Sequence, residues 1–232
     1  MQAEIERQRK LDYLFWGLAT LGIAVALYFA FLYAPTERTM GDVQRIFYFH
    51  VASAWNAFLG FFVVFVASIL YLATKNIRYD VVAASSAEIG VLFTTLVLLT
   101  GPLWARPVWN TYWTWDPRLT TTLVLWLIYV AYLMLRAYAG EEEKTARFAA
   151  VFGIVGFVDV PIVYLSIRLW RTLHPKPVIG GGPGSGLHPA MLTTLFVSLA
   201  AFALLYVALL RVRTRLEHAR RELNRIRLEL AE

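Results

Sequence analysis

Imidazole and indole are the chemically notable side chains here, and both cluster. The chain has 4 histidines and 8 tryptophans. Trp104, Trp109, Trp113 and Trp115 fall within twelve residues, Tyr112 interrupts them, and Asp116 and Arg118 close the run. Indole faces stack on planar apolar molecules, a neutral imidazole is a metal ligand, and an arginine fork pairs with carboxylates. If the piece after Pro107 is helical, Trp109 and Trp113 share one face with Tyr112 beside them, which makes an aromatic shelf. Tryptophan and tyrosine are enriched at any membrane interface. A belt of that kind asks for a ring or two per helix end, however, and this run is far denser.

The histidines differ in context. His50 ends Arg45-Ile-Phe-Tyr-Phe-His50, at the start of an apolar run. Taken alone, an imidazole at a helix start is more often a structural hydrogen-bonder than a ligand. His174 follows Trp170-Arg-Thr-Leu, and His188 directly precedes Pro189, where it serves equally as a helix cap. His218 lies in a basic tail and is expected in solvent.

The elements that must position these groups are membrane spans. The chain has 232 residues, 59% hydrophobic and 16% charged, with a mean hydropathy of +0.56. That composition excludes a soluble domain of this size. Apolar runs long enough to cross a bilayer occur at 13–34, 51–74, 81–103, 119–139, 148–169 and 189–211. The expected fold is all-α: a six-helix membrane domain over 1–211, followed by a cytoplasmic amphipathic helix over 212–232. The first run is too long for a signal-peptide core and reads as a retained anchor. With no cysteine, disulfides, thiolate ligands, iron–sulfur clusters and C-x-x-C-H haem attachment are excluded.

Of the 22 lysines and arginines, fifteen fall in segments 1–12, 75–80, 136–147 and 211–232, and seven in the alternate segments. The positive-inside rule therefore puts both termini in the cytoplasm. Charges flanking spans are poorly placed for nucleic acid, and no nucleic-acid partner is expected. The outer loops are then 35–50, 104–118 and 170–188. The third contains the glycine run Gly180–Gly186, which lacks the Gly-Lys-Ser/Thr end of a phosphate loop and reads as a hinge. Inside the spans, Glu88 reads as a carboxylate snorkelling towards the inner surface, and Asp159, next to Pro161, as a buried polar contact of unknown partner. Leu216, Leu223 and Leu230 recur every seven residues in the tail, which suits either a short coiled coil or a helix lying on lipid.

Together the outer loops present an aromatic shelf, three histidines and six basic residues. A ligand matching that set is planar and apolar, accepts one or two imidazoles and carries acidic groups. Haem meets each requirement, and two histidines from different loops could grip one iron from opposite faces.

The pattern Trp104-x4-Trp109-x3-Trp113-x-Trp115-Asp116-x-Arg118-Leu-Thr resembles the tryptophan-rich WWD signature of haem-handling proteins in cytochrome c maturation. Six spans, His50 after Tyr-Phe, and Trp-Arg-Thr-Leu-His174 make the chain similar to the CcmC family over nearly its whole length. The resemblance implies non-covalent haem b held at the outer, periplasmic face of a bacterial inner membrane, with His50 and His174 as axial iron ligands. It implies that Trp104, Trp109, Trp113, Trp115, Asp116 and Arg118 hold the porphyrin, with Arg45 a further propionate partner. It also implies delivery to the periplasmic haem chaperone CcmE, alongside the ABC transporter subunits CcmA and CcmB and the small membrane protein CcmD. No nucleotide-hydrolysis motif is present, and whether the covalent step on the chaperone is enzymic stays open. The rival expectations are a transporter that itself moves haem or another small molecule, and a structural subunit whose aromatic loop docks a partner.

Overall fold

A computed structural model describes residues 2–138, 142–175 and 186–230. Among them the regular elements are helices. α1 spans Gln2–Tyr28 and widens into a π-turn at Phe29–Tyr33, and a 3-10 turn at Asp42–Arg45 leads into α2, Ile46–Thr74. α3 (Ile77–Trp109), α4 (Pro117–Tyr138), α5 (Glu142–Phe157), α6 (Asp159–Leu169) and α7 (Pro189–Glu229) follow. Six stretches are long and apolar enough to cross a membrane, α5 and α6 together making one of them.

α2 and α3 form the most extensively packed pair, joined by the two-residue link Lys75–Asn76. Lys75 takes the left-handed conformation (φ 57°) that ends α2, and the Asn76 side chain caps α3 by accepting from the Arg78 N–H at 3.0 Å. Their close approach depends on glycine. A Cβ on Gly90 would meet the Phe61 ring at 2.5 Å, and one on Gly60 would lie 3.3 Å from the Gly90 Cα. Phe61 in turn stacks on Tyr129 of α4, ring centroids 3.8 Å apart. This aromatic stack sits in the core that joins α2 to α5.

Three span boundaries differ from the sequence reading. α3 does not stop at Leu103 but continues through Pro102 and Pro107 to Trp109. Each proline removes one helical N–H, yet Trp104 and Ala105 are buried, and Trp104 packs edge-on against Phe47 of α2. The fifth span is broken at Val158, with Asp159 and Pro161 in the first turn of α6. α7 runs without interruption past residue 211, so the sixth span and the tail are one helix of 41 residues.

That continuity changes the reading of the acids within the spans. Glu88 is partly exposed and also ion-paired: Arg213, two residues past the apolar run 189–211, meets it through Nε and Nη2, a single guanidinium edge. Asp12 of α1 takes Arg211 at 3.1 Å and also Arg215. Asp80 of α3 takes Arg136 of α4 and Arg221 of α7, each at 2.7 Å. These three clusters lie at the end of the bundle where the chain begins and finishes. Asp159 shows no such pairing, and its buried Oδ2 has no hydrogen-bond partner among the described residues.

Candidate functional site

At the opposite end, one cavity is enclosed by α2, α3, α4, α6 and the loops that follow α3 and α6. Most of its wall is apolar. The polar exceptions include His50, His174 and Arg118, and the aromatic exceptions include Trp104, Trp109 and Trp113. Two histidines more than a hundred residues apart thus face the same space.

His50 stands in the first turns of α2, which the 3-10 turn before it aims across α3. Its ring meets Trp104 edge-on at 5.9 Å, and a Cβ on Gly101 would be 3.5 Å from its Cε1. Nδ1 lies 2.8 Å from Thr100 Oγ1. Ala54 and Phe58, one and two turns along α2, continue the same cavity wall.

His174 is held by a loop rather than a helix. α6 ends when the Trp170 N–H reaches the Ser166 carbonyl at 3.0 Å. The Thr172 hydroxyl then accepts from the His174 N–H at 3.0 Å. His174 Nδ1 donates to the Pro175 carbonyl at 3.0 Å, because a carbonyl only accepts, and Nε2 keeps its lone pair. Burial, reinforced by the Arg118 charge, pushes the His174 imidazole down to about 4, so it is neutral at ordinary pH. Neutral imidazole is the metal-binding form.

Asp116 links the two loops. Its Oδ1 caps α4 by accepting from the Arg118 N–H at 2.9 Å, which satisfies the cap reading of Asp116-Pro117. Its Oδ2 accepts from the Leu173 N–H, also at 2.9 Å, one residue before His174. Asp116 is buried and supports the cavity without lining it. Arg118 lines the cavity while one guanidinium nitrogen donates to the Val163 carbonyl of α6.

The expected helical shelf after Pro107 does not form. Asn110 adopts the left-handed conformation (φ 56°) and ends α3, so Trp109 is the last helical residue and Trp113 belongs to an irregular loop. Arg106 holds that loop, bonding Asn110 and lying 5.4 Å over the Tyr112 ring. Trp109 and Trp113 still reach the same cavity, by two routes instead of one face. Trp115 does not: it is 76% exposed and packs edge-on against Trp113. Arg45 is also outside the cavity. It donates to the carbonyls of Ala30 and Ala34, to Thr36 and to Asp42, stitching the π-turn of the first span to the loop before α2. His188 accepts from the Ala190 N–H at 3.3 Å as a cap on α7. Most of the glycine run, residues 180–185, lies outside the described residues.

Sequence reasoning missed Trp55, Tyr164 and Thr100. Trp55 and Tyr164 line the cavity from α2 and α6. Each sits in an apolar run where an aromatic residue carries no signal of its own. Thr100 stands behind His50 and could be found only once α2 and α3 were paired.

The residues suit haem on an observation internal to the structure. Trp104 lines the cavity with a buried Nε1–H that has no acceptor among the described residues. A ligand oxygen would satisfy it. The same wall offers the Nε2 lone pair of His174, the His50 ring, flat indoles and a guanidinium.

The profile of the CcmC family, described as heme exporter protein C, matches residues 3–229. The chain is 37% identical over 206 residues to heme exporter protein C of Bradyrhizobium diazoefficiens, covering 89% of this chain and 78% of that one. It is 35% identical over 179 residues to a ccmC-like mitochondrial protein of Marchantia polymorpha named for cytochrome c biosynthesis, covering 77% and 75%. To heme exporter protein C of Escherichia coli K12 it is 32% identical over 208 residues, covering 86% and 83%.

Proposed function

We propose, on the premise that this chain belongs to the CcmC family of heme exporter protein C, that it handles haem in cytochrome c maturation, holding it between His50 and His174. The carrying observation is that these two histidines, from α2 and from the loop after α6, line one cavity with Trp104, Trp109, Trp113 and Arg118. The two imidazoles supply axial nitrogens to non-covalent haem b. Trp109 and Trp113 cover the porphyrin, Trp104 Nε1–H and Arg118 meet its carboxylates, and Asp116 keeps the two loops in register. Trp115, exposed at the loop tip, is placed to meet a partner.

The positive-inside count supports a cytoplasmic location for both termini and hence a periplasmic cavity in a bacterial inner membrane. From there the protein passes haem to the chaperone CcmE, in a complex with CcmA, CcmB and CcmD. The transporter reading is weaker, since Glu88 is paired with Arg213 at the termini end instead of lining a path from the cavity.

The visible spectrum of the purified protein tests the ligation. We expect a six-coordinate, bis-imidazole Soret and α/β pattern. His50→Gly and His174→Gly each lose haem on washing, and added imidazole restores it. Two glycine variants that keep haem like the unmodified protein would sink the axial assignment.

A further inference from the structure

We infer that Thr100 is a positioning residue that fixes the tautomer of His50, so that the ring presents Nε2 to the ligand. The inference rests on the haem-ligation reading above for what the exposed nitrogen meets, and on the hydrogen bonding of α3 for the tautomer itself. Thr100 Oγ1 donates its one proton to the Leu96 carbonyl, four residues back in α3, at 2.7 Å. The same oxygen lies 2.8 Å from His50 Nδ1. With the hydroxyl proton engaged, the oxygen accepts and Nδ1 donates. A neutral imidazole has a single N–H, so Nε2 is left as a lone pair.

One further contact holds the ring in that orientation, Trp104 edge-on at 5.9 Å, and its Cε1 lies beside Gly101, where an added Cβ would stand 3.5 Å away. Thr100 is absent from the cavity wall, so it acts through His50 and not on the ligand. The arrangement mirrors His174, whose Nδ1–H goes to the Pro175 carbonyl. Both imidazoles therefore offer the same nitrogen, one fixed by a side chain and the other by the backbone. A hydrogen-bonded N–H also makes an imidazole a stronger electron donor to a metal. Removing the Thr100 hydroxyl should then weaken ligation and raise the reduction potential of bound haem.

The test begins without haem. In the full chain in nanodiscs, labelled with 15N-histidine, long-range 1H–15N correlation spectra report which ring nitrogen carries the proton. We expect the Nδ1–H form for His50 in the unmodified protein and in Thr100→Ser. In Thr100→Val we expect a shift towards the Nε2–H form that imidazole favours in water. Finding Nε2–H in the unmodified protein would overturn the inference without any variant having to fold. Titration with haemin follows: affinity should fall roughly 10-fold or more in Thr100→Val, with a more positive midpoint potential, and Thr100→Ser should restore both. An unchanged tautomer and potential in Thr100→Val would reduce Thr100 to a helix-packing residue. His50→Gly separates the two layers. A haem spectrum indifferent to that change would refute ligation by His50, and with it the metal-facing half of the inference, whatever the tautomer in the haem-free protein.

Discussion

At the residue scale, the proposed ligation makes proton and iron competitors for one nitrogen of His174. The ordinary imidazole value of 6.5 is pushed down to about 4, first by burial and then by the Arg118 charge, with the Pro175 carbonyl and Asp116 pulling weakly the other way. The folded protein therefore disfavours the protonated ring. As pH falls below 6.5 the unfolded chain takes up a proton before the folded one does. The stabilising contribution of this group is complete above 6.5 and lost progressively down to about 4. On the proposed ligation, haem affinity should stay flat through neutral pH and decline only as pH nears 4. A titration of the Soret band with a midpoint near 6.5 would contradict it. Asp116 is the neighbouring test. Its two oxygens accept from the N–H groups of Arg118 and Leu173, each at 2.9 Å. In Asp116→Asn only one carboxamide oxygen remains to accept, so one N–H is orphaned, costing about 1–3 kcal/mol. The His174 loop loosens, and haem should dissociate faster while the six-coordinate spectrum is retained. An unchanged off-rate would remove Asp116 from the positioning of His174. The sequence exposed half of this role: Asp116-Pro117 reads as a helix cap, but the bond to Leu173 spans 57 positions, and no local pattern encodes it.

At the element scale, hydropathy was enough to find six spans, because the bilayer requires length and apolarity and both are local properties. It failed where packing outweighs a local breaker. The third span reads as ending at Leu103, yet α3 carries on through Pro107 because Trp104 and Ala105 are buried against neighbouring helices. The shelf expected from the spacing of Trp109 and Trp113 failed for the opposite reason. Asn110 accepts a left-handed conformation more readily than most residues and ends the helix between them. The α2–α3 contact was invisible as well, since Gly60 and Gly90 carry no chemical signal beyond their size. It nevertheless sets the distance between His50 and the Trp104 segment. Gly90→Val should force the Phe61 ring from its stack on Tyr129, since even a Cβ would meet that ring at 2.5 Å. Overpacking of this kind costs about 1–3 kcal/mol. A lower thermal midpoint in detergent is expected, with weaker haem retention beside it. A midpoint equal to that of the unmodified protein would mean that the two helices separate freely.

At the scale of the whole molecule, the two ends of the bundle do different work. The cavity end holds two imidazoles, indoles and a guanidinium. The termini end is clamped by ion pairs that tie α7 back onto α1 and α3, and α3 onto α4. The composition of the tail announces its charge but not its partners, which sit in other spans. Asp80 is the centre of the clamp. Its side chain is 2% exposed and accepts from both terminal guanidinium nitrogens of Arg136 as well as from Arg221. Arg136 also lies over the Tyr132 ring, so it cannot leave without uncovering the core. Asp80→Asn keeps the shape and removes the charge, leaving the Arg136 guanidinium without its anion and Arg221 paired with Glu217 instead. Breaking a buried pair in that way costs about 3–5 kcal/mol. Thermal unfolding in detergent should register a large loss, and limited proteolysis should begin to cut the α7 tail. The haem spectrum of the protein that remains folded should be unchanged, because the cavity lies at the other end. If Asp80→Asn instead alters the haem spectrum at full stability, the clamp and the cavity are coupled through the spans, and the separation of the two ends is wrong.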